Sequence, residues 1–277
     1  MPRQLQVESM DDALRNSLWN EITERVDGQY GEWLATSQFL AKYFFKLPVD
    51  SLPKADAYAR NWVRDKFFGA SWHQVYDMLE FLVTHIDTIL RPVTTGPYGG
   101  RYEDQRHQLT RATNHILERE LSGYRFIGGI LSPVTDPVEV SAIDAAANHV
   151  SHDRLLAPST HIRAALALLG QKPAPDYRNS IKESISAVES AVNSLAGTNG
   201  GGVSRAMDLL SSKVEIHSAL KSAIKQLYGF TSDADGIRHA IMDQSKLGYA
   251  EAKFMLVACA AFVNFVLEKA RDGGLAK

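Results

Sequence analysis

The chain has 277 residues, enough for one large or two ordinary domains at about 100–200 residues each. Hydrophobic residues at 45% and charged residues at 22% are globular proportions, and they exclude a disordered, collagen-like or low-complexity polypeptide. Lys+Arg 30 against Asp+Glu 32 gives a net charge of −2, so no global basic field draws the protein to nucleic acid or an anionic membrane, and any such contact has to be local.

The opening stretch MPRQLQVESMDD has no basic segment followed by an apolar one, so no leader is expected. Leu14, Leu18, Ile22 and Val26 then recur at helical spacing with Trp19 beside them, predicting an amphipathic helix that ends at Gly28. After residues 30–47, Pro48 and Pro53 punctuate the chain before another helical stretch through Trp62 and Phe67. Trp72, Val75, Tyr76, Leu79, Leu82 and Val83 share one helical face and read as core. Residues 92–106, with Gly96-Pro97 and Gly99-Gly100, read as a loop, and a helix is expected over 108–120.

Tyr124-Arg125-Phe126-Ile127 and Ile130-Leu131-Ser132-Pro133-Val134 flank Gly128-Gly129, the pattern of a β-hairpin and the only β structure expected. Thr135 or Asp136 can cap a helix that starts near Pro137, with Glu139 in its first turn. Ile162, Leu166 and Leu169 mark a helix, Pro173 and Pro175 break it, and Asp176 is a natural cap for a helix over 177–195. There Ile181, Ile185, Val188, Val192 and Leu195 alternate steps of four and three, the seam of a central bundle helix. A glycine-rich connection, 197–202, precedes a short helix over 204–211, and Ile216, Leu220, Ile224 and Leu227 mark another that stops at Gly229. The final helix, about 249–271, is apolar nearly all round at its centre and is expected to be buried. Its longest apolar run, 254–263, falls short of the about 20 residues a membrane span needs, so no membrane contact is expected. It carries the single cysteine, Cys259, which cannot close an intrachain disulfide and, with the missing leader, predicts a reducing, cytoplasmic location.

Two segments crowd polar residues at helix starts. In Asp176-Tyr177-Arg178-Asn179-Ser180-Ile181-Lys182-Glu183-Ser184, Asp176 caps and Ser180 with Glu183 fits a capping box; alternatively Arg178, Lys182 and the exposed helix N–H groups favour a phosphate. In Thr231-Ser232-Asp233-Ala234-Asp235-Gly236-Ile237-Arg238-His239-Ala240, Ser232 and Asp235 repeat the capping-box spacing, so a helix is expected to begin here and carry Arg238 and His239 in its second turn. A fixed cation beside an imidazole can stabilise a phosphate and move protons, although an exposed Arg-His pair is equally an ordinary surface feature. His149, His152 and His161 lack the Cys or carboxylate partners of a zinc site, so no metal is expected.

The chain resembles AbiJ-type bacterial abortive-infection proteins, in which a variant AbiJ N-terminal domain is joined to a HEPN-like helical domain. The resembling stretches are Leu14-Arg15-Asn16-Ser17-Leu18-Trp19-Asn20, Trp72-His73-Gln74-Val75-Tyr76-Asp77, Glu120-Leu121-Ser122-Gly123-Tyr124-Arg125-Phe126, and the two polar segments beginning at Pro175 and Ser232. The resemblance implies phage defence and an all-α fold: an N-terminal helical domain over 1–133 ending in the small hairpin, then a HEPN-like bundle over 134–277. Many HEPN domains are metal-independent ribonucleases that act as dimers through a motif of Arg, four to six residues, then His. This sequence departs from that motif, for Ser232, Asp233 and Ala234 stand where the arginine belongs and Arg238 is adjacent to His239. Arg154 and His161 have the spacing but lie in a proline-containing stretch ahead of the main bundle helices, and are set aside.

On this resemblance RNA is cleaved by its own 2′-OH, with His239 as general acid or base, Arg178 and Arg238 stabilising the phosphorane, and Asn179, Lys182, Glu183, Ser232 and Asp235 lining the substrate site. No cofactor is called for, and a homodimer through the C-terminal bundle is implied. The alternatives are a non-catalytic sensor whose same residues bind a nucleotide, RNA or a phage component, and plain scaffolding with those residues apart in space.

Overall fold

Asp11 opens the first helix by accepting the Leu14 amide on its carboxylate, and α1 (Asp12–Val26) turns Leu14, Leu18, Trp19, Ile22 and Val26 inward. That stripe needs partners of matching size. Trp19 meets Trp33 at 5.6 Å and Phe67 at 5.4 Å between ring centroids, which joins α1 to α2 (Glu32–Phe39) and α3 (Asp56–Gly69). The computed structural model describes residues 4–27, 31–94, 104–148, 156–198, 202–233 and 247–275, except for the side chains at 91–94 and 232–233. The described residues are 73% helical, with eleven α-helices and one two-stranded hairpin among them, an all-α fold.

The chain divides into two compact units, Met1–Leu131 and Ser132–Lys277. In the first, α2 runs into a wider π turn at Leu40–Phe44, after which Lys46 adopts the left-handed region at φ 56°. The helix α4 (Trp72–Thr94) supplies Val75, Tyr76, Leu79, Leu82 and Ile86 to the core. It continues through Pro92 to Thr94, where a loop was expected, although proline has no amide to donate to the carbonyl four residues back. Likewise α5 (Gln105–Arg119) starts before residue 108, since Asp104 caps it by accepting the His107 amide. Strands β1 (Arg125–Ile127) and β2 (Ile130–Ser132) turn on Gly128 and Gly129 at φ 57° and 85°, the left-handed pair a two-residue hairpin requires. An additional parallel bridge joins Gln6 to Ser122, a β contact no local pattern announces.

In the second unit Asp136 caps α6 (Pro137–Ala147) as expected, accepting the Val138 and Glu139 amides. The helices α7 (Leu156–Leu169) and α8 (Tyr177–Ala196) pack closely, and α8 is the element most extensively covered by its neighbours. It buries Ile181, Ile185, Val188, Val192 and Leu195, and ends at Gly197 in the left-handed region. After α9 (Gly202–Ser211), α10 (Ser218–Asp233) does not stop at Gly229, which costs about 1 kcal/mol relative to alanine but does not end a helix.

The last helix, α11 (Tyr249–Asp272), is by length and composition able to cross a membrane, with half of its most apolar stretch buried inside this unit. Burial follows one face through Ala252, Met255, Cys259, Val263 and Val266, while Phe254 is 59% exposed, so it is not enclosed all round as expected. Asn264 donates to the Ala142 carbonyl at 2.9 Å and Lys253 lies 2.8 Å from Glu139, tying α11 to α6.

Candidate functional site

The breaker segment after α7 sets up the start of α8. Asp176 donates its amide to the Leu168 carbonyl at 3.0 Å and turns its carboxylate over the first turn, accepting Asn179 N at 3.0 Å and Asn179 Nδ2 at 2.7 Å. Asn179 is thereby committed to the cap. The Asp176 carboxylate also offsets part of the positive end of the helix dipole, the field a phosphate would otherwise meet. Ser180 faces inward instead of capping: it is fully buried inside the helix and donates to the Ala165 carbonyl at 2.8 Å, so the Ser180–Glu183 capping box does not form.

Arg178 is half-buried and Lys182 exposed, one helical turn apart and hence on the same stripe. Two cations near a helix N-terminus are poorly placed for helix stability, because the dipole repels them, and well placed to attract an anion. Glu183, on the next stripe, takes His161 of α7 as partner, with His161 Nδ1 2.6 Å from Glu183 Oε2. This pair leaves the Nε2 edge of His161 to other contacts and fixes the ring plane. With Arg154, His161 has the motif's spacing but was set aside for lying in a proline-containing stretch ahead of the main bundle helices; only the packing of α7 on α8 makes it a neighbour of the polar segment.

The second segment departs from expectation at its start. Ser232 belongs to the last turn of α10, so no helix begins there: α10 runs on through the buried Thr231 to Asp233. Asp235, Arg238 and His239 lie outside the described residues, as do His149, His152 and Arg154. Among the described residues no group of three or more His, Cys, Asp or Glu side chains could hold a metal ion.

Titration is displaced most in the cores. Burial pushes the Cys259 thiol and the Tyr76 hydroxyl each up to about 12, and the Tyr76 hydroxyl hydrogen-bonds Ser122 Oγ at 2.8 Å. On the surface of the second unit, hydrogen bonds from Lys221 and Lys225 hold the Asp208 carboxyl below its usual range.

Comparison with known proteins finds one family. Residues 1–149 match the family described as AbiJ N-terminal domain 4, a stretch that takes in the whole first unit and α6. No curated protein and no solved structure matches the chain. Since the match covers more than half of the 277 residues, the chain belongs to the AbiJ N-terminal domain 4 family of AbiJ-type abortive-infection proteins.

Proposed function

We propose that this protein defends bacteria against phage by abortive infection, and that the unit following the family's N-terminal domain is a HEPN-like bundle that cleaves RNA without a metal. The observation that carries the reading is the Arg178–Lys182 stripe on the first turns of α8, the central helix of the second unit, in a chain of net charge −2. A local pair of cations supplies the field a phosphodiester needs when the whole chain supplies none. His239 acts as general acid or base: the 2′-oxygen attacks phosphorus, the bond to the 5′-oxygen breaks, and that oxygen leaves with a proton. Arg178 and Arg238 stabilise the phosphorane charge, with Lys182 holding the substrate backbone, and a second copy pairs through the same bundle.

Phage plating on cells expressing the protein tests this reading. Arg178→Ala and His239→Ala each abolish protection while the melting temperature stays nearly unchanged. Retained protection in both variants contradicts the site, and loss of folding in both makes the residues structural.

A further inference from the structure

The aromatic cluster of the first unit opens into a cavity of about 410 Å3, walled by half-buried Phe44, Phe45 and Ala70 and by buried Met78. That volume lies within the about 300–1,000 Å3 of small-molecule sites. Its polar lining is Asp65, Lys66 and Gln74. Phe44 ends the π turn, Phe45 follows it, and Lys46 stands at φ 56°, so the wall is carried by backbone that departs from regular helix, a departure that persists only where surrounding structure holds it.

The polar groups are poised rather than paired. Lys66 Nζ sits 5.6 Å from the ring centroids of both Phe45 and Trp62, and among the described residues it has no carboxylate within 4.0 Å. Asp65 beside it has no hydrogen bond or ion pair among the described residues. Gln74 spends its oxygen on Ser71, accepting the amide and the hydroxyl at 3.0 Å each, which directs its two amide N–H donors elsewhere. Lys42 and Lys46 flank the two phenylalanines along the chain.

We propose that this cavity binds a nucleotide, either free or as one unit of single-stranded RNA. Apolar ring walls accept the flat faces of any base, Asp65 takes an exocyclic amine, Gln74 donates to a ring nitrogen or carbonyl, and Lys66 meets phosphate. An acyl chain has no use for Asp65 and Lys66, and an inorganic anion leaves the phenylalanine walls empty. The site lies wholly within the first unit and does not depend on the cleavage chemistry assigned to the second.

The test uses the full chain and two probes: ATP, followed by tryptophan emission through the Trp62–Phe45 ring contact, and a fluorescein-labelled 2′-O-methyl octanucleotide, which has no 2′-OH with which to cleave itself, followed by anisotropy. Gly69 lines the cavity and a Cβ there meets no atom within 4 Å, so Gly69→Leu introduces an apolar side chain at the lining with room for its first carbon. Lys66→Gln, which removes the charge and keeps a polar side chain, is the second variant. At least one probe binds, and each variant weakens it about tenfold or more with the melting temperature held. Binding of ATP alone identifies a free nucleotide and binding of the oligonucleotide identifies single-stranded RNA. Failure of both probes to bind, or binding that neither variant weakens, overturns the proposal.

Discussion

The two units are both helical, yet their interiors are built from different materials. All four tryptophans, at positions 19, 33, 62 and 72, lie in the first unit, where ring meets ring from Trp19 through Trp33 and Phe67 and again from Trp72 through Tyr76 and Tyr124. The second unit packs small and aliphatic residues, with Ala187 and Ala191 of α8 and Ala252 and Ala260 of α11 fully buried. Large rings fill the uneven gaps left by a π turn and a hairpin, whereas small side chains let regular helices approach closely along a seam. A long covered seam accordingly forms in the second unit, where α7, α8 and α11 pack on one another.

That contrast is open to separate measurement, because tryptophan emission reports the first unit and the lone cysteine the second. The largest effect is expected from Phe67→Ala, which empties a fully buried ring and costs about 3–5 kcal/mol in the tryptophan transition. The Cys259 thiol should stay protected in that variant; simultaneous exposure of the thiol would mean that the two interiors melt as one. Next, Cys259→Asn leaves a buried amide unpaired and should cost about 1–3 kcal/mol, read by loss of helicity while the tryptophan transition holds. In the native protein the thiol should resist a bulky disulfide reagent, and rapid labelling would contradict burial of α11.

Alkali offers a graded version of the same contrast. Desolvation raises Cys259 from 9.0 to about 12 and Tyr76 from 10.0 to about 12, so the folded chain holds both protons more tightly than the unfolded chain. Above the unfolded values the unfolded state binds fewer protons, and stability falls as pH rises. The contribution from Cys259 is complete below about pH 9 and is lost on approaching about 12; that from Tyr76 is complete below about pH 10 and is lost over the remaining interval. Helicity monitored in denaturant should therefore weaken from a lower pH than the tryptophan signal. The smallest effect is His161→Ala: its pair with Glu183 is partly exposed, so at most about 1 kcal/mol should go, and protection against phage should persist.

What sequence reading reached, and what it did not, follows from the range of the forces involved. The hairpin was legible because Gly128-Gly129 is a local conformational requirement, and the start of α8 because Asp176 acts on an amide three residues away. Asn114, which clamps Phe126 by accepting its amide at 2.7 Å and donating to its carbonyl at 2.9 Å, has no local signature. The same holds for His161 beside Glu183 and for the Phe44–Lys66 cavity, which exist only once helices pack. Ser232 misled because a capping-box spacing carries no record of whether the preceding helix has ended.

Cleavage of RNA by the second unit, as proposed above, is open to direct contradiction. Purified full-length protein incubated with cellular RNA in excess EDTA, followed by analysis of the RNA ends, tests it most directly. The account predicts fragments carrying 2′,3′-cyclic phosphates, produced by the wild-type chain and by neither Arg178→Ala nor His239→Ala. RNA left intact by the wild type, or cut equally by all three proteins, would contradict it.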